Sequence, residues 1–243
     1  MILGGISAVA VLGIVAFSLL QPAFRAAREA ARCSACESNL NRIALALEDY
    51  YVDHGHYPPA IEYDENGQPK HSWRVLLLPY LGPEGEKVYD LYDMTQPWNG
   101  PTNMRLVGQI PAAYQCPSDV RAAVGETSYL AVVGPRTVLS DGEQPTTRED
   151  ITDPGEETLV VIESANSTTN WLQPKDIRVD QLRAGLNSQN ASSPGSNHSQ
   201  GVNALMVDGS IARLPGTTPD TDLRAMATID GDEFIETLDN LAY

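Results

Sequence analysis

From Ile2 to Phe24 the chain carries no charged side chain, and the first charge is Arg25. As a helix, such a run rises about 1.5 Å per residue and reaches roughly 34 Å, enough to cross a hydrocarbon core of about 30 Å. A core helix of a water-soluble domain has no need to be apolar all round for so long. A cleaved secretory signal would put basic residues first, use a shorter apolar run and end at a small-residue cleavage site. Here no Lys or Arg precedes the run, and Arg25-Ala26-Ala27-Arg28-Glu29-Ala30-Ala31-Arg32 reads as continuing helix. Residues 1–24 are therefore expected to form an uncleaved membrane anchor, and residues 25–243 a globular domain. Arg25, Arg28 and Arg32 come directly after the span, which by the positive-inside rule favours a cytoplasmic position for the domain. Pro22 lies near the end of the span and is tolerated in a lipid-embedded helix.

The helical pattern does not stop at the membrane. Leu40, Ile43, Ala44, Leu47, Tyr50 and Tyr51 recur at three- and four-residue steps, so this stretch offers one face for burial. Gly55 and Pro58-Pro59 forbid continuation, which predicts one long helix over residues 2–53. Shorter helices are expected from Ser72, as cap, to about Tyr80, and over 84–92. Strand signals cover 128–133, 158–163, 202–207 and 210–214, with Asp208-Gly209 as a two-residue hairpin turn between the last two. Asn187 to Gln200 reads as a Ser/Asn/Gly-rich loop, and the tail from Asp220 holds one or two short helices.

Charge narrows the partners. The net charge is −16, and residues 61–243 hold 12 basic and 27 acidic side chains. Such a domain repels phosphate backbones, so nucleic acid is not an expected partner. Its acidic surface serves solubility and attracts cations. Gly4, Gly5, Ser7, Ala8, Ala10 and the Ala-rich stretch 23–31 suit close helix–helix approach in lipid.

Three cysteines do not make a disulfide scaffold. Cys33 and Cys36 are one helical turn apart and share a face. With Cys116 and either His54 or His56 they reach the four ligands zinc wants. Free thiols and a single disulfide are the other readings.

Several strings, taken in order, resemble one family. These are Pro22 with the Arg25–Arg32 segment, Cys36, Asn39-Leu40 and Ala44–Leu47, followed by His54–Pro59 and Ser72–Leu81. Trp98, Asn103, Cys116-Pro117-Ser118-Asp119, Thr127-Ser128-Tyr129 and Trp171-Pro174-Asp176 continue the pattern. At the end, His198, nine residues and then Asp208-Gly209 fit an H-X9-DG motif, and residues 223–233 look like a closing helix and turn. Over roughly residues 18–235 the chain resembles the bacterial prepilin-like proteins grouped as domain of unknown function DUF1559.

The resemblance implies an α+β, type IV pilin-like fold. A long N-terminal helix, transmembrane in its first half, would pack on a small antiparallel sheet with long loops. It implies a domain outside the inner membrane, against the charge signal of Arg25–Arg32. Contacts with other pilin-like subunits through the long helix are implied too. The function expected on this basis is a non-catalytic, pseudopilin-like structural or assembly subunit of the envelope or of a secretion- or pilus-type system. A tethered monomeric module that binds a solute or ion is the alternative, and a hydrolase using His198 is the third reading. Met1-Ile2-Leu3-Gly4-Gly5-Ile6 offers no basic leader, cleavage-site aromatic or early glutamate. A chain that starts so is expected to be anchored like a pilin without polymerising, unless its start is trimmed or misassigned.

Cys36 and Cys116 are the two cysteines that match the family, and the resemblance favours a bond between them. His198 and Asp208 are the motif's pair. As a catalytic pair they would be a general base and its orienting carboxylate; structurally, Asp208-Gly209 makes a turn and His198 closes a loop. No cofactor is expected; Ca²⁺ is to be considered at Asp230, Asp232 and Glu233, although their spacing fails the EF-hand pattern. Trp73, Trp98 and Trp171 would either line a pocket or anchor a loop-rich core.

Overall fold

The computed structural model describes residues 2–120, 122–142, 144–165, 167–182, 186–187, 193–231, 233 and 235–239; within the first helix its description of side chains begins at residue 17. Helix α1 (Ile2–His54) runs unbroken for 53 residues with Pro22 inside it. Its burial is uneven. From Phe17 to Arg32 it is almost entirely exposed, and from Cys33 onward one stripe is closed to solvent: Cys33, Cys36, Leu40, Ile43, Ala46, Leu47 and Tyr50. These steps of three and four are the spacing of one helix face. The stacking of Tyr50 on His54, with ring centroids 4.0 Å apart, finishes the helix, and Gly55 leaves it at φ +76°.

Strands β1 (Ile61–Tyr63) and β2 (Pro69–Ser72) form a small antiparallel hairpin. Helices α2 (Trp73–Leu76) and α3 (Pro83–Tyr89) come next, with a 3-10 turn at Leu78–Tyr80 between them. The expected helix from Ser72 to Tyr80 is thus broken in two. Ser72 occupies the N-cap position without capping, because its hydroxyl donates to the Trp171 carbonyl instead (3.4 Å). After two further 3-10 segments come β3 (Tyr129–Val133), β4 (Leu159–Glu163), β5 (Ile177–Arg178), β6 (Val202–Met206), β7 (Ile211–Leu214), α4 (Asp220–Ala227) and α5 (Glu236–Asp239).

The main sheet has the order β5-β3-β4-β6-β7. Its pairings are antiparallel except β3–β5, so the sheet is mixed rather than the antiparallel one expected. Side chains alternate across it. Tyr129, Ala131, Val161 and Leu205 face the α1 stripe and join its core. Leu130, Val132, Ile162, Ala204 and Met206 face the other way, against Leu223, Met226 and Ala227 of α4. Because both faces are covered, β3, β4 and β6 are buried at every position, which explains their near-continuous apolar runs. The β6–β7 connection is four residues, Val207-Asp208-Gly209-Ser210, rather than the two-residue turn expected. The Met206 amide donates to the Ser210 carbonyl (2.9 Å), and Gly209 takes φ +88°, the left-handed conformation such loops require.

Among the described residues no helix is long and apolar enough to cross a membrane; the side chains of residues 2–16, most of the expected anchor, lie outside that description.

Candidate functional site

The chemistry-bearing side chains converge where α1 meets the end of β4 and the start of β6. Cys36, on the buried stripe of α1, is joined by a disulfide to Cys116, whose Cα is 5.3 Å away; the bridge closes a sequence separation of 80. Cys116 lies just after the 3-10 turn Ala112–Tyr114, and the Asn39 side chain holds this loop by donating to the Gln115 carbonyl (2.8 Å). The third cysteine, Cys33, is a buried free thiol. Burial pushes its pKa up.

His198 reaches the same point from the loop before β6. Its Nε2 lies 3.2 Å from Cys36 Sγ and 3.4 Å from Cys116 Sγ, and its Nδ1 is 2.6 Å from Glu29 Oε1. The loop is held from within: the His198 amide donates to Ser196 Oγ (3.0 Å), and the Asn197 side chain donates to the Ser118 carbonyl (3.0 Å). Glu163 completes the cluster. It ends β4 opposite Tyr129, so it points to the α1 side of the sheet and is fully buried. Oε2 accepts from the side chain (3.1 Å) and amide (3.4 Å) of Asn203. Oε1 has no hydrogen-bond donor and lies 3.7 Å from His198 Nε2. Burial pushes the Glu163 carboxyl up, opposed by the adjacent His198 ring, the Ser196 hydroxyl and the Asn203 donors. One ligand-capable atom each from Cys36, Cys116, Glu163 and His198 fall within 4.8 Å of one another, and all four residues are buried.

The zinc set read from spacing is not assembled. Cys33 and His54 are 21 residues apart on one helix, about 32 Å along its axis. His54 and His56 pack with Tyr50 instead. His198, not either of these, is the histidine at the Cys36–Cys116 pair.

Nor does the motif bring His198 to Asp208. They lie beyond opposite ends of β6, whose five residues span about 16 Å at roughly 3.3 Å per residue. Asp208 is exposed, and its Oδ1 accepts from the amide (2.8 Å) and hydroxyl (2.6 Å) of Ser210 inside the hairpin loop. The carboxylates beside His198 are Glu29 and Glu163, which sequence reasoning did not single out. A charge closing the apolar run of residues 159–162 was the available signal.

Of the suggested Ca²⁺ ligands, one is engaged elsewhere. Asp230 binds Arg136 (2.8 Å), Glu233 is exposed, and Asp232 lies outside the described residues. Trp73 and Trp171 are fully buried core anchors, and Trp98 packs partly buried against the same core.

A second buried polar centre sits beside those tryptophans. The Arg74 guanidinium contacts Asp176 Oδ1 (2.7 Å) and donates to the carbonyls of Trp171, Gln173 and Lys175. Asp176 Oδ1 also accepts from the Trp73 indole (3.0 Å) and the Ala131 amide (2.9 Å). Through these bonds β2–α2 and the segment before β5 are tied to β3.

Compared with protein families, the chain matches the one described as protein of unknown function (DUF1559) over residues 25–158 and 122–221. It belongs to that family. No curated protein and no solved structure matches it.

Proposed function

We propose that this DUF1559 family member is a membrane-anchored, non-catalytic subunit of pseudopilin type, with residues 2–24 in the inner membrane and the domain on the extracytoplasmic side. The observation that carries the reading is the exposed stretch of α1 before Cys33. Phe17, Leu19, Leu20 and Phe24 are 62%, 74%, 53% and 59% exposed there, and they close a run of 23 residues without a charge. An apolar surface of this kind is stable only when something covers it, and lipid or the helices of other subunits are the covers its length suits. A disulfide between Cys36 and Cys116 supports an oxidising compartment for the domain. The non-catalytic role is supported by His198, which is 6% exposed with its ring nitrogens facing Glu29 and the two sulfurs.

The test is membrane fractionation, then protease treatment of spheroplasts. The full chain is expected to resist extraction by alkaline carbonate, and deletion of residues 2–24 to release it. Added protease is expected to degrade residues 61–243 while a cytoplasmic marker survives. A photo-crosslinking residue in place of Leu20 should give discrete adducts with a second copy or another envelope protein. Extraction by carbonate would remove the anchor from the reading. Protection from protease would put the domain in the cytoplasm, and an absence of adducts would remove the subunit role.

A further inference from the structure

We infer that Cys36, Cys116, His198 and Glu163 form a binding site for one divalent, borderline-soft metal ion of the zinc class when the Cys36–Cys116 bond is reduced. The inference does not depend on the anchoring or export proposed above. A disulfide alone leaves this cluster unexplained, since a cystine has no need of an imidazole and a carboxylate aimed at it. Glu163 Oε1 is the sharpest observation. It is fully buried and accepts no hydrogen bond, and a buried polar atom left so is costly. A cation at the cluster would satisfy it.

The donor set favours one class of metal. Two thiolates, an imidazole and a carboxylate are ligands Zn²⁺ takes in tetrahedral sites, whereas Mg²⁺ and Ca²⁺ prefer oxygen alone. His198 is oriented for the task. An Nδ1–H donated to Glu29 Oε1 at 2.6 Å leaves the Nε2 lone pair facing the sulfurs. A carboxylate holding the far nitrogen of a ligating histidine is the usual outer-shell arrangement of such sites, so Glu29 is a positioning residue here. In a tetrahedral site neighbouring ligand atoms stay about 3.3–3.8 Å apart. Nε2 is already 3.2 and 3.4 Å from the two sulfurs and 3.7 Å from Glu163 Oε1. The sulfurs must separate, and reduction permits that.

The two states exchange by balanced steps. A dithiol reductant gives two electrons and two protons to the disulfide and becomes a disulfide itself. The ion then displaces both thiol protons and binds as the dithiolate complex. In reverse, a disulfide oxidant takes two electrons from the dithiolate, leaves as two thiolates and frees the ion as the Cys36–Cys116 bond re-forms.

The test uses the full chain in detergent micelles, reduced with a phosphine and desalted without oxygen, with Co²⁺ as the optical probe and Zn²⁺ as competitor. One Co²⁺ per chain is expected, with a sulfur-to-cobalt charge-transfer band and tetrahedral visible bands, all removed by Zn²⁺. The oxidised chain should show none of these. Cys33→Ser should leave the spectrum unchanged and Cys116→Ser should abolish it. Glu29→Gln should weaken binding by about 10–100-fold. Glu163→Gln, nearly isosteric and less demanding on the fold than a cysteine change, should shift the visible bands and also weaken binding. A reduced chain that keeps its circular dichroism and shows no sulfur–cobalt band overturns the inference. So does a band that survives Cys116→Ser, and so does a reduced chain that unfolds and is not restored by Co²⁺ or Zn²⁺.

Discussion

Arg74 Nη1 stands 2.7 Å from Asp176 Oδ1, and both side chains are shut off from solvent. The pair sits where β2–α2, the segment before β5 and the start of β3 meet, because Asp176 Oδ1 also takes the Trp73 indole and the Ala131 amide. Removing one partner of a buried pair strands the other, at a cost of about 3–5 kcal/mol. Asp176→Asn is therefore expected to lower stability by that amount in chemical unfolding. Arg74→Met should cost at least as much, since it also takes the donor from the carbonyls of Trp171, Gln173 and Lys175. Arg74→Met with Asp176→Asn should cost clearly less than the sum of the single changes, because the two share one network. Strict additivity would mean that the ion pair contributes nothing.

The Cys36–Cys116 bond pins the loop after Tyr114 to α1 across 80 residues of sequence. Closing a loop of that size in the unfolded chain corresponds to about 4.5 kcal/mol in the chain-entropy account. Cys36→Ala with Cys116→Ala, measured without reductant, is expected to unfold at correspondingly lower denaturant. An unchanged midpoint would show that the loop is held by its other contacts, chief among them Asn39 to the Gln115 carbonyl.

The long helix and the β6–β7 hairpin were legible because their signals are local: apolar steps of three and four from Leu40 to Tyr50, and Asp208-Gly209 between two strand patterns. The hairpin of β1 and β2 was not. Its strands are three and four residues long, and Pro69-Lys70-His71-Ser72 alternates in no recognisable way. What marks it is the turn, where Asp64 Oδ1 accepts from the amides of Asn66 and Gln68 and Gly67 takes φ +72°. Strand β5 has two residues and exists only through its parallel pairing with β3, so no local pattern could announce it. The site was half legible. Cys36, Cys116 and His198 stood out by residue type and resemblance, but their meeting spans 82 and 162 residues. Glu163 and Arg74 look like surface charges until the sheet buries them. Their apolar neighbours, on one side at least, were the hint.

His71 gives the fold a pH dependence whose sign can be worked out. It is fully buried, with Nδ1 beside the Tyr92 hydroxyl (2.9 Å) and Nε2 beside the Met94 carbonyl (3.1 Å). A neutral ring accepts from the first and donates to the second. Burial lowers its pKa below 6.5, with the Met94 carbonyl opposing. Below about pH 6.5 the unfolded chain therefore binds a proton that the folded chain refuses, and stability must fall as pH falls through the lowered folded value. His71→Leu should lower stability throughout, yet flatten the dependence on pH in that acidic window. The check is unfolding free energy against pH for both chains; parallel curves would mean that other groups set the slope.

His198 and Asp208 are separated by at least the length of β6, about 16 Å, and each has its own partners. Asp208→Ala removes two short bonds to Ser210 inside the hairpin loop, so a loss of about 1 kcal/mol is expected. His198→Ala removes the contacts to Glu29, Cys36 and Cys116 and leaves Glu163 still more isolated, so its cost should be the larger. Residues that far apart without a shared partner add within about 0.3–0.5 kcal/mol. The double variant is therefore expected to lose the sum of the two. Asp208→Ala alone should leave the rate at which a reductant opens the Cys36–Cys116 bond unchanged, while His198→Ala should alter it, because only His198 touches the sulfurs. A coupling well beyond that margin, or a change in reduction rate on Asp208→Ala, would mean that the two ends of the motif act as one unit.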